Sequence, residues 1–326
     1  MALAFLYAHE STYRDLLDKS MAETSEGKEK YRQLTCMAEP DRARVSTTVH
    51  QPGLRQRMDL IYPPENLEAT REEVVLFVQG FLVDAHLPPI RARSQLASVP
   101  VRTQQTVMLS GVSSRQFGTA IAAIGQIVEV FNAQCTRDEL LPWSPRIVQG
   151  HPTLTLSSRY FTADGGSTKH DMRAFPEDLD PYNILRNAVP DGLYTEDNEV
   201  LYYERRKFSN SDTLKYVTVQ PTAFKIGQLV QAQLAFMLVP RGKGKYGLIL
   251  RLRSLCILSH AVTDDCSRAQ LENFTATPEA LAPRMKRRVG YLAEDEDKDD
   301  DVQGIMKKMR LEPVEKAKEA DHMDTK

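Results

Sequence analysis

Residues 228–258, which read QLVQAQLAFMLVPRGKGKYGLILRLRSLCIL, decide the fold that we expect for this chain. Two apolar runs, at 228–239 and 246–258, are rich in residues that favour strands, and the turn-forming sequence PRGKGK at 240–245 joins them. Apolar residues alternate with Gln in the first run and with Arg in the second. The sequence therefore predicts a long β-hairpin that buries one face.

The other face of this hairpin is predicted to carry its polar side chains into solvent. Leu250 and its neighbours at alternate positions occupy the buried side of the second strand, which places Arg251 and Arg253 on the opposite side. If the strands close at the PRGKGK turn, Arg253 comes close to Gln233 across the ladder. We therefore expect an exposed surface of Gln and Arg above an apolar floor, suited to phosphates and other polar groups.

Further strand-like runs ahead of the hairpin extend the pattern into a mainly β (α+β) protein with short N-terminal helices. We expect two β-rich modules, each barrel-like or sandwich-like, and an OB-like barrel is one option for the second. The predicted organisation is a helical N-terminal segment and linker (1–64), a first β-rich module (65–161), an acidic loop or junction (162–198), a second, basic β-module (199–265) and a charged, largely disordered tail (266–326).

Two short segments about a hundred residues apart are alike: IGQIVEV at 124–130 and IGQLVQA at 226–232. Alternation in the first predicts a strand over 125–131, after a short helix at 116–124. The likeness allows two interpretations. In the first, the two segments mark a duplicated β-module. In the second, each is a Gly-led turn into an apolar strand, a common local structure that occurs twice without duplication.

Composition places the chain among ordinary soluble proteins. Of its 326 residues, 41% are hydrophobic and 26% are charged. Four cysteines lack the regular spacing of a disulfide scaffold, so we expect reduced thiols. The apolar opening has no basic region ahead of it and does not resemble a signal peptide. We therefore expect a nuclear or cytoplasmic protein.

The C-terminal tail is divided into blocks of like charge. An acidic run at 294–301 lies between two basic clusters, and such blocks bury too little apolar surface to fold. The acidic run either binds basic partners, folds back onto the basic hairpin, or is a solvated tail that resists aggregation. The first basic cluster is a candidate nuclear-import signal, consisting of Arg284, Lys286, Arg287 and Arg288.

Positive charge is concentrated in the second module. Between residues 213 and 263 there are seven Lys or Arg and no Asp or Glu. Basic strands of this kind suit a nucleic-acid backbone, and an aromatic residue near the hairpin tip could stack on a base. The candidate nucleic-acid-binding residues are Lys225, Gln231, Gln233, Arg241, Lys243, Lys245, Tyr246, Arg251 and Arg253.

These features predict a non-enzymatic protein that binds single-stranded nucleic acid by its backbone, without base-specific readout. The first alternative is a protein-interaction scaffold that docks partners by strand edges or by the charged tail. In a second alternative, the basic residues only protect strand edges and keep the surface soluble. A third is an enzyme whose site is assembled from distant residues. The sequence has no motif for catalysis or for metal or cofactor binding, so we expect no catalytic residue, metal or cofactor.

Four segments carry a resemblance to other proteins. They are DPYNIL at 180–185, YTEDNEVLYY at 194–203, FKIGQLV at 224–230 and ILRLRSL at 249–255. In these segments the chain resembles uncharacterised proteins that are numerous in mushroom-forming fungi, over residues 175–260. The resemblance implies that this region forms one unit, and it implies no activity.

Overall fold

The computed structural model describes residues 1–24, 31–38, 48–50, 57–63, 71–135, 139–162, 173–207 and 214–276, with the backbone alone for 48–50 and 273–276. The tail from residue 277 onwards lies outside the described residues, and so do the nuclear-import candidates Arg284, Lys286, Arg287 and Arg288.

Strands account for most of the regular structure. The strands are β1 (Thr48–His50), β2 (Met58–Ile61), β3 (Leu76–His86), β4 (Gln104–Ser110), β5 (Arg146–Val148), β6 (His151–Arg159), β7 (Leu201–Lys207), β8 (Leu214–Thr218), β9 (Leu229–Gly242) and β10 (Lys245–Ser259). The helices are α1 (Ala2–Ala8), α2 (Glu10–Thr24), α3 (Arg115–Asn132), α4 (Ile184–Ala188) and α5 (Ala261–Ala276). The mainly β class predicted from the sequence is confirmed.

Five strands close into a barrel. Strands β3, β4 and β6 pair antiparallel in succession, β9 pairs antiparallel with β3, and β10 pairs antiparallel with β9 and parallel with β6. Around the barrel the order is β3, β4, β6, β10, β9 and back to β3. The number of strands and their order, in which β10 lies between β6 and β9, are those of a Greek-key, OB-like barrel. Strands from both predicted modules build it, three from 65–161 and two from 199–265.

The predicted hairpin forms two of the five barrel strands and also pairs with strands outside the barrel. Strands β9 and β10 have 14 and 15 residues, so each is long enough to pair with two different strands along one edge. Strand β9 pairs with β3 of the barrel and, further along, with the outer strand β2. Strand β10 pairs in the same way with β6 of the barrel and with the outer strand β7. Strands β1, β5 and β8 extend the sheet outside the barrel. The hairpin therefore joins the barrel to the outer strands that cover part of its surface.

Alternate side chains of the hairpin fill the barrel interior. Leu234, Phe236, Leu250 and Leu252 are all at most 4% exposed and belong to one hydrophobic core. Phe117 of α3 packs on the same core, against the bare Cα of Gly111, where an added Cβ would meet its ring at 2.3 Å. The apolar floor predicted for the hairpin is thus buried as expected.

The prediction of a strand over 125–131 is wrong, because these residues belong to α3. The Oγ of Ser114 caps the helix by accepting the backbone N–H of Phe117 at 3.1 Å. A helical period over fifteen residues outweighs the short alternation. The buried residues of α3 that set this period are Phe117, Ala120, Ala123, Ile124, Ile127 and Phe131.

The two similar segments consequently have different structures. Residues 124–130 are helical, whereas 226–232 form a turn that enters β9. A shared string of small and apolar residues is compatible with either period when the flanking residues differ. The likeness therefore reflects local composition, and the duplicated-module interpretation is wrong.

Helix α5 occupies residues 261–276, the last eleven of which had been assigned to the tail. All four cysteine thiols, at Cys36, Cys135, Cys256 and Cys266, are free. In the part of the chain that the structure describes, every helix is too short or too polar to cross a membrane.

Candidate functional site

The hairpin arginines are not on an exposed surface. Arg251 is 7% exposed, and the side chain of Arg253 is 17% exposed. The residues that cover them come from the 3-10 turn Glu196–Asn198 and from the region around β2. The predicted solvent face is therefore wrong. Alternation identifies the side of a strand that a residue takes, but it does not reveal what packs against that side.

Six charged side chains meet on this covered face, and we call them the Asp197 cluster. Two of its members are the hairpin arginines, and four come from segments distant in sequence. The cluster consists of Arg57, Asp59, Glu73, Asp197, Arg251 and Arg253.

Asp197 is the centre of the cluster. Its carboxylate oxygens lie 3.0 Å from Nη1 of Arg57, 3.3 Å from Nη2 of Arg253 and 3.5 Å from Nη1 of Arg251. Its main-chain carbonyl oxygen accepts hydrogen bonds from Arg251 at 2.5 Å and from Arg253 at 2.9 Å. Three guanidinium groups thus converge on a single residue.

The other two carboxylates complete the charge balance. Arg253 donates from Nε and Nη2 to the two oxygens of Glu73, both at 2.7 Å, which is a bidentate pair. Nε of Arg57 lies 2.8 Å from both carboxylate oxygens of Asp59. With three positive and three negative groups the cluster is formally neutral, so these arginines present no net charge to a ligand.

The charges shift the pKa values within the cluster. Burial would raise the pKa of Asp197, but Arg251, Arg57 and Arg253 outweigh burial and hold that pKa well below its usual range. Burial, reinforced by the like charge of Arg253, lowers the pKa of Arg251 to about 10. Both groups therefore remain charged at neutral pH.

A pocket of about 410 Å³ opens on one side of the cluster, between the outer sides of β6 and the hairpin. We call it the arginine pocket, because Arg57, Arg159 and Arg251 line it and none of its described lining residues is acidic. Its other polar residues are Gln104, Ser157, Ser158, Thr162 and Asn198. Its apolar wall consists of Phe161, Met237, Val239, Pro240 and Ile249.

Arg159 of this pocket lies near two further exposed arginines, Arg102 and Arg241, and we call the three the arginine rim. Burial lowers the pKa of Arg159, and the positive charges of Arg102 and Arg241 lower it further. None of the three forms an ion pair with an acidic residue among those that the structure describes. The rim therefore concentrates positive charge without internal compensation, which favours the binding of an anion.

A second pocket, of about 460 Å³, lies on the other side of the Asp197 cluster. We call it the mixed pocket, because acidic and basic residues both line it. The predicted site residues Gln233 and Arg253 face this pocket and not the arginine pocket. Its charged residues are Arg57, Asp59, Arg71, Glu73, Glu196, Asp197, Glu199 and Arg253. With five carboxylates against three arginines, it is poorly suited to a polyanion.

The residues of the hairpin tip have different environments. Arg241 and Lys243 are exposed, and Lys245 is half-buried. Tyr246 is 6% exposed and lies in the hydrophobic core, while its backbone pairs with Glu139 and Leu141. The predicted stacking role of Tyr246 is therefore wrong, because its ring is not available to a base.

The remaining predicted residues lie away from the arginine pocket. Lys225 is exposed and precedes β9, at the end of the hairpin opposite its tip. Gln231 is half-buried, and its Oε1 accepts a hydrogen bond from Nε2 of Gln79 at 3.1 Å. Neither residue lines either pocket. Of the nine predicted residues, only Arg241 in the rim and Arg251 in the pocket belong to the arginine-rich site.

Another polar constellation forms where β4 turns into α3. Val112 and Ser113 adopt positive φ angles of 40° and 60°, and Ser113 Oγ lies 3.1 Å from Nδ1 of His151. Nε2 of His151 lies 3.6 Å from Glu10, and its ring stacks on Tyr7 at 5.0 Å. These residues line neither pocket, so we assign them no role in the site.

Sequence reasoning missed Arg57, Arg102, Arg159 and Asp197. For Arg159 a signal was available, because TLTLSSR at 153–159 alternates and places Arg159 on the outer side with Ser157. Arg57 and Asp197 are 140 residues apart, and no local pattern marks their contact.

Within the described residues, no three His, Cys, Asp or Glu side chains are grouped closely enough to hold a metal ion together. No protein-family model matches the chain, and no curated protein is significantly similar to it.

Proposed function

We propose that this protein binds single-stranded nucleic acid through its phosphate backbone, without base-specific readout and without chemical action on it. The observation that supports the proposal is the arginine rim, three exposed arginines with no acidic partner among the described residues. One of them, Arg159, lines a pocket whose described lining residues include no acidic side chain. A nuclear or cytoplasmic location belongs to the same proposal.

Phosphate is the ligand group that best suits such a rim. A guanidinium group is permanently charged, and its planar set of donors matches two oxygens of a phosphate at once. Uncompensated arginines repel one another, and a bound polyanion relieves that repulsion while it releases its own counterions. The folded protein thus gains most from an extended anion that contacts all three residues.

A single strand is a better match than a duplex for the shape of this surface. Arg159 of the rim lines a pocket with an apolar wall, and an unpaired base can turn away from its backbone towards apolar side chains. A duplex keeps its bases stacked and offers only phosphates. We therefore expect preference for single strands, with little dependence on sequence.

The test is a titration of labelled single-stranded DNA and RNA by fluorescence anisotropy at two salt concentrations. Three engaged phosphates should give a slope of about −2 in log affinity against log salt. The variants R159E and R241E should each lower the affinity about tenfold or more, because each replaces attraction by repulsion. The matched control is K225E, an identical charge change at an exposed lysine at the other end of β9. Failure of the wild type to bind at low salt would overturn the proposal.

A second candidate function is a protein-docking scaffold, and strand β8 favours it. This strand is last in the sheet order, and Leu214 and Tyr216 on it are 49% and 59% exposed. A strand at the end of the described sheet order with exposed apolar side chains suits the addition of an extended peptide segment. If β8 docks a strand from a second copy of this chain, replacement of both residues by Lys should abolish the resulting self-association in sedimentation velocity and leave nucleic-acid affinity unchanged.

A further inference from the structure

We infer that the arginine pocket receives one nucleotide of the bound strand, with its phosphate towards Arg159 and its base against the apolar wall. The inference rests on the proposed function and deepens it, because it names the ligand unit as a nucleoside monophosphate. Backbone binding by the rim alone does not require such a pocket to be filled.

The size of the pocket agrees with this ligand. Its volume of about 410 Å³ is within the range of roughly 300–1,000 Å³ that is common for small-molecule sites, and near its lower end. A single nucleotide suits this volume, whereas a folded or double-stranded segment does not. The pocket therefore selects for one flexible unit of a strand.

Phosphate recognition is continuous from the rim into the pocket. Arg159 belongs to both, since it lines the pocket and lies close to the charges of Arg102 and Arg241. A strand that crosses the rim thus brings one of its phosphates to the pocket mouth. No acidic residue is among the described residues that line the pocket, which favours the entry of that phosphate.

Two buried polar atoms of pocket-lining residues have no hydrogen-bond partner among the described residues. They are Nη1 of Arg251 and Oγ of Ser158. The side chain of Arg251 is 8% exposed and Ser158 is 2% exposed, so bulk water does not satisfy these atoms. Buried polar atoms are almost always paired, and an unpaired one calls for a reason. Phosphoryl and sugar oxygens supply the partners that these atoms lack.

Neighbouring residues hold these groups in position. Nη2 of Arg251 donates to the main-chain oxygen of Asp197 at 2.5 Å, while Nη1 makes no hydrogen bond and lies 3.5 Å from the carboxylate of the same residue. Oγ1 of Thr162 donates to Oδ1 of Asn198 at 3.1 Å, so these two residues shape the pocket wall. A prearranged site of this kind loses little entropy when the ligand enters.

The base contacts the other wall. Phe161, Met237 and Ile249 offer apolar surface to any base, because each base has an apolar face. Gln104 is exposed and can both donate to and accept from a base edge. This arrangement accepts different bases, in agreement with binding that depends little on sequence. Neither a nucleoside nor a free phosphate uses both walls, so each should bind more weakly than the nucleotide.

The experiment is isothermal titration calorimetry of the full chain with 5′-AMP, 5′-UMP, adenosine, ribose 5-phosphate and inorganic phosphate. Both nucleotides should bind at least about tenfold more tightly than the other three, because base contacts of this type are worth a factor of that order.

The variant I249W fills the pocket from a half-buried outer position of β10 without any change of charge. It should lower nucleotide affinity about tenfold and the affinity for a 12-mer by less. The variant V239W fills the same wall from β9 and is used if I249W does not fold.

The outcomes separate this inference from the proposed function. Binding of the 12-mer by a wild type that binds nucleotides no better than inorganic phosphate overturns the inference alone. Nucleotide binding without 12-mer binding supports the pocket and overturns the proposed function. Unchanged nucleotide affinity in a folded I249W or V239W overturns the inference, because the ligand then lies elsewhere. The control K225E should leave both affinities unchanged.

Discussion

The arginine pocket and the mixed pocket flank the same cluster of charges, share Arg57, and have similar volumes of about 410 and 460 Å³. Each is lined by three arginines, yet no described residue that lines the first is acidic, while five carboxylates line the second. The difference shows that the number of basic residues in a region does not determine its potential. What decides is which arginines have been neutralised by partners from elsewhere in the chain.

Arg253 and Arg159 illustrate the point. Arg253 is held by Glu73 at 2.7 Å and contacts Asp197. The charges of the described residues that act on Arg159 are the like charges of Arg102 and Arg241. The first arginine is a structural residue, and the second is available to a ligand. The predictions that follow are ordered by expected effect, and each one alters a single side of this contrast.

The largest effect is expected from loss of the carboxylate that separates the two pockets. D197N leaves Arg251, which is 7% exposed, and two other guanidinium groups without their shared counter-charge. We expect a loss of about 2–3 kcal/mol in the free energy of unfolding, less than for a fully buried pair because Asp197 is partly exposed. Urea denaturation measures it.

The control for D197N is E196Q. Glu196 is adjacent in sequence, its side chain is 79% exposed, and its partner Arg173 lies outside the cluster. This variant should lie within about 0.5 kcal/mol of the wild type. Equal stabilities of D197N and E196Q would show that the cluster does not stabilise the fold.

The next effect is a difference between the two arginines: loss of Arg253 should lower stability, and loss of Arg159 should lower nucleic-acid affinity. R253A should destabilise the protein by about 2 kcal/mol, because it leaves the carboxylate of Glu73 without its bidentate partner, and it should barely change nucleic-acid affinity. R159A should change stability by less than about 0.5 kcal/mol. It should also lower affinity and flatten the salt slope by about 0.7 for the lost phosphate contact. Denaturation and anisotropy on the same samples measure both effects, and the reverse pattern would contradict the assignment of roles.

The long hairpin and its buried face were predictable, because two strand-like apolar runs with polar residues at alternate positions flank a turn-forming sequence. Helix α3 was not predicted over its full length, since Val128 and Val130 also fit a strand when only residues 125–131 are considered. Only the cap at Ser114 and the longer apolar period distinguish the two, and both appear when the whole span from 114 to 132 is considered.

The candidate site was predictable only in part. The basic character of the second module pointed towards Arg241 and Arg251, both of which belong to the arginine-rich site. The partners that neutralise Arg253 come from Glu73, 180 residues earlier, and from Asp197 in a turn. Pairing over such distances depends on the closed barrel and on β2, which no local pattern reveals. Charge counted along a sequence therefore overestimates the charge that a surface offers.

A smaller effect is expected when the arginine pocket is made to resemble the mixed one. S157D introduces a carboxylate at a half-buried outer position of β6, directly opposite Arg251 in the ladder. It should lower nucleic-acid affinity about tenfold, since the added carboxylate repels the incoming phosphate. S157N has nearly the same shape without the charge, and it should stay within about twofold. Equal losses in both variants would indicate that steric exclusion is responsible.

The smallest effect is a pH dependence of the contribution of Asp197 to stability. Its pKa in the folded protein is held well below that of an unfolded aspartate, which is about 3.9. For a carboxyl group whose pKa is depressed by folding, the stabilisation is complete above the unfolded pKa and is lost as pH falls towards the folded one. The difference in unfolding free energy between wild type and D197N should therefore be constant from about pH 8 to pH 5 and shrink below about pH 4. Urea midpoints at half-unit steps measure it, and the comparison with D197N largely cancels the other carboxyl groups. A difference that declines between pH 7 and pH 5 would mean that the arginines do not control this carboxylate.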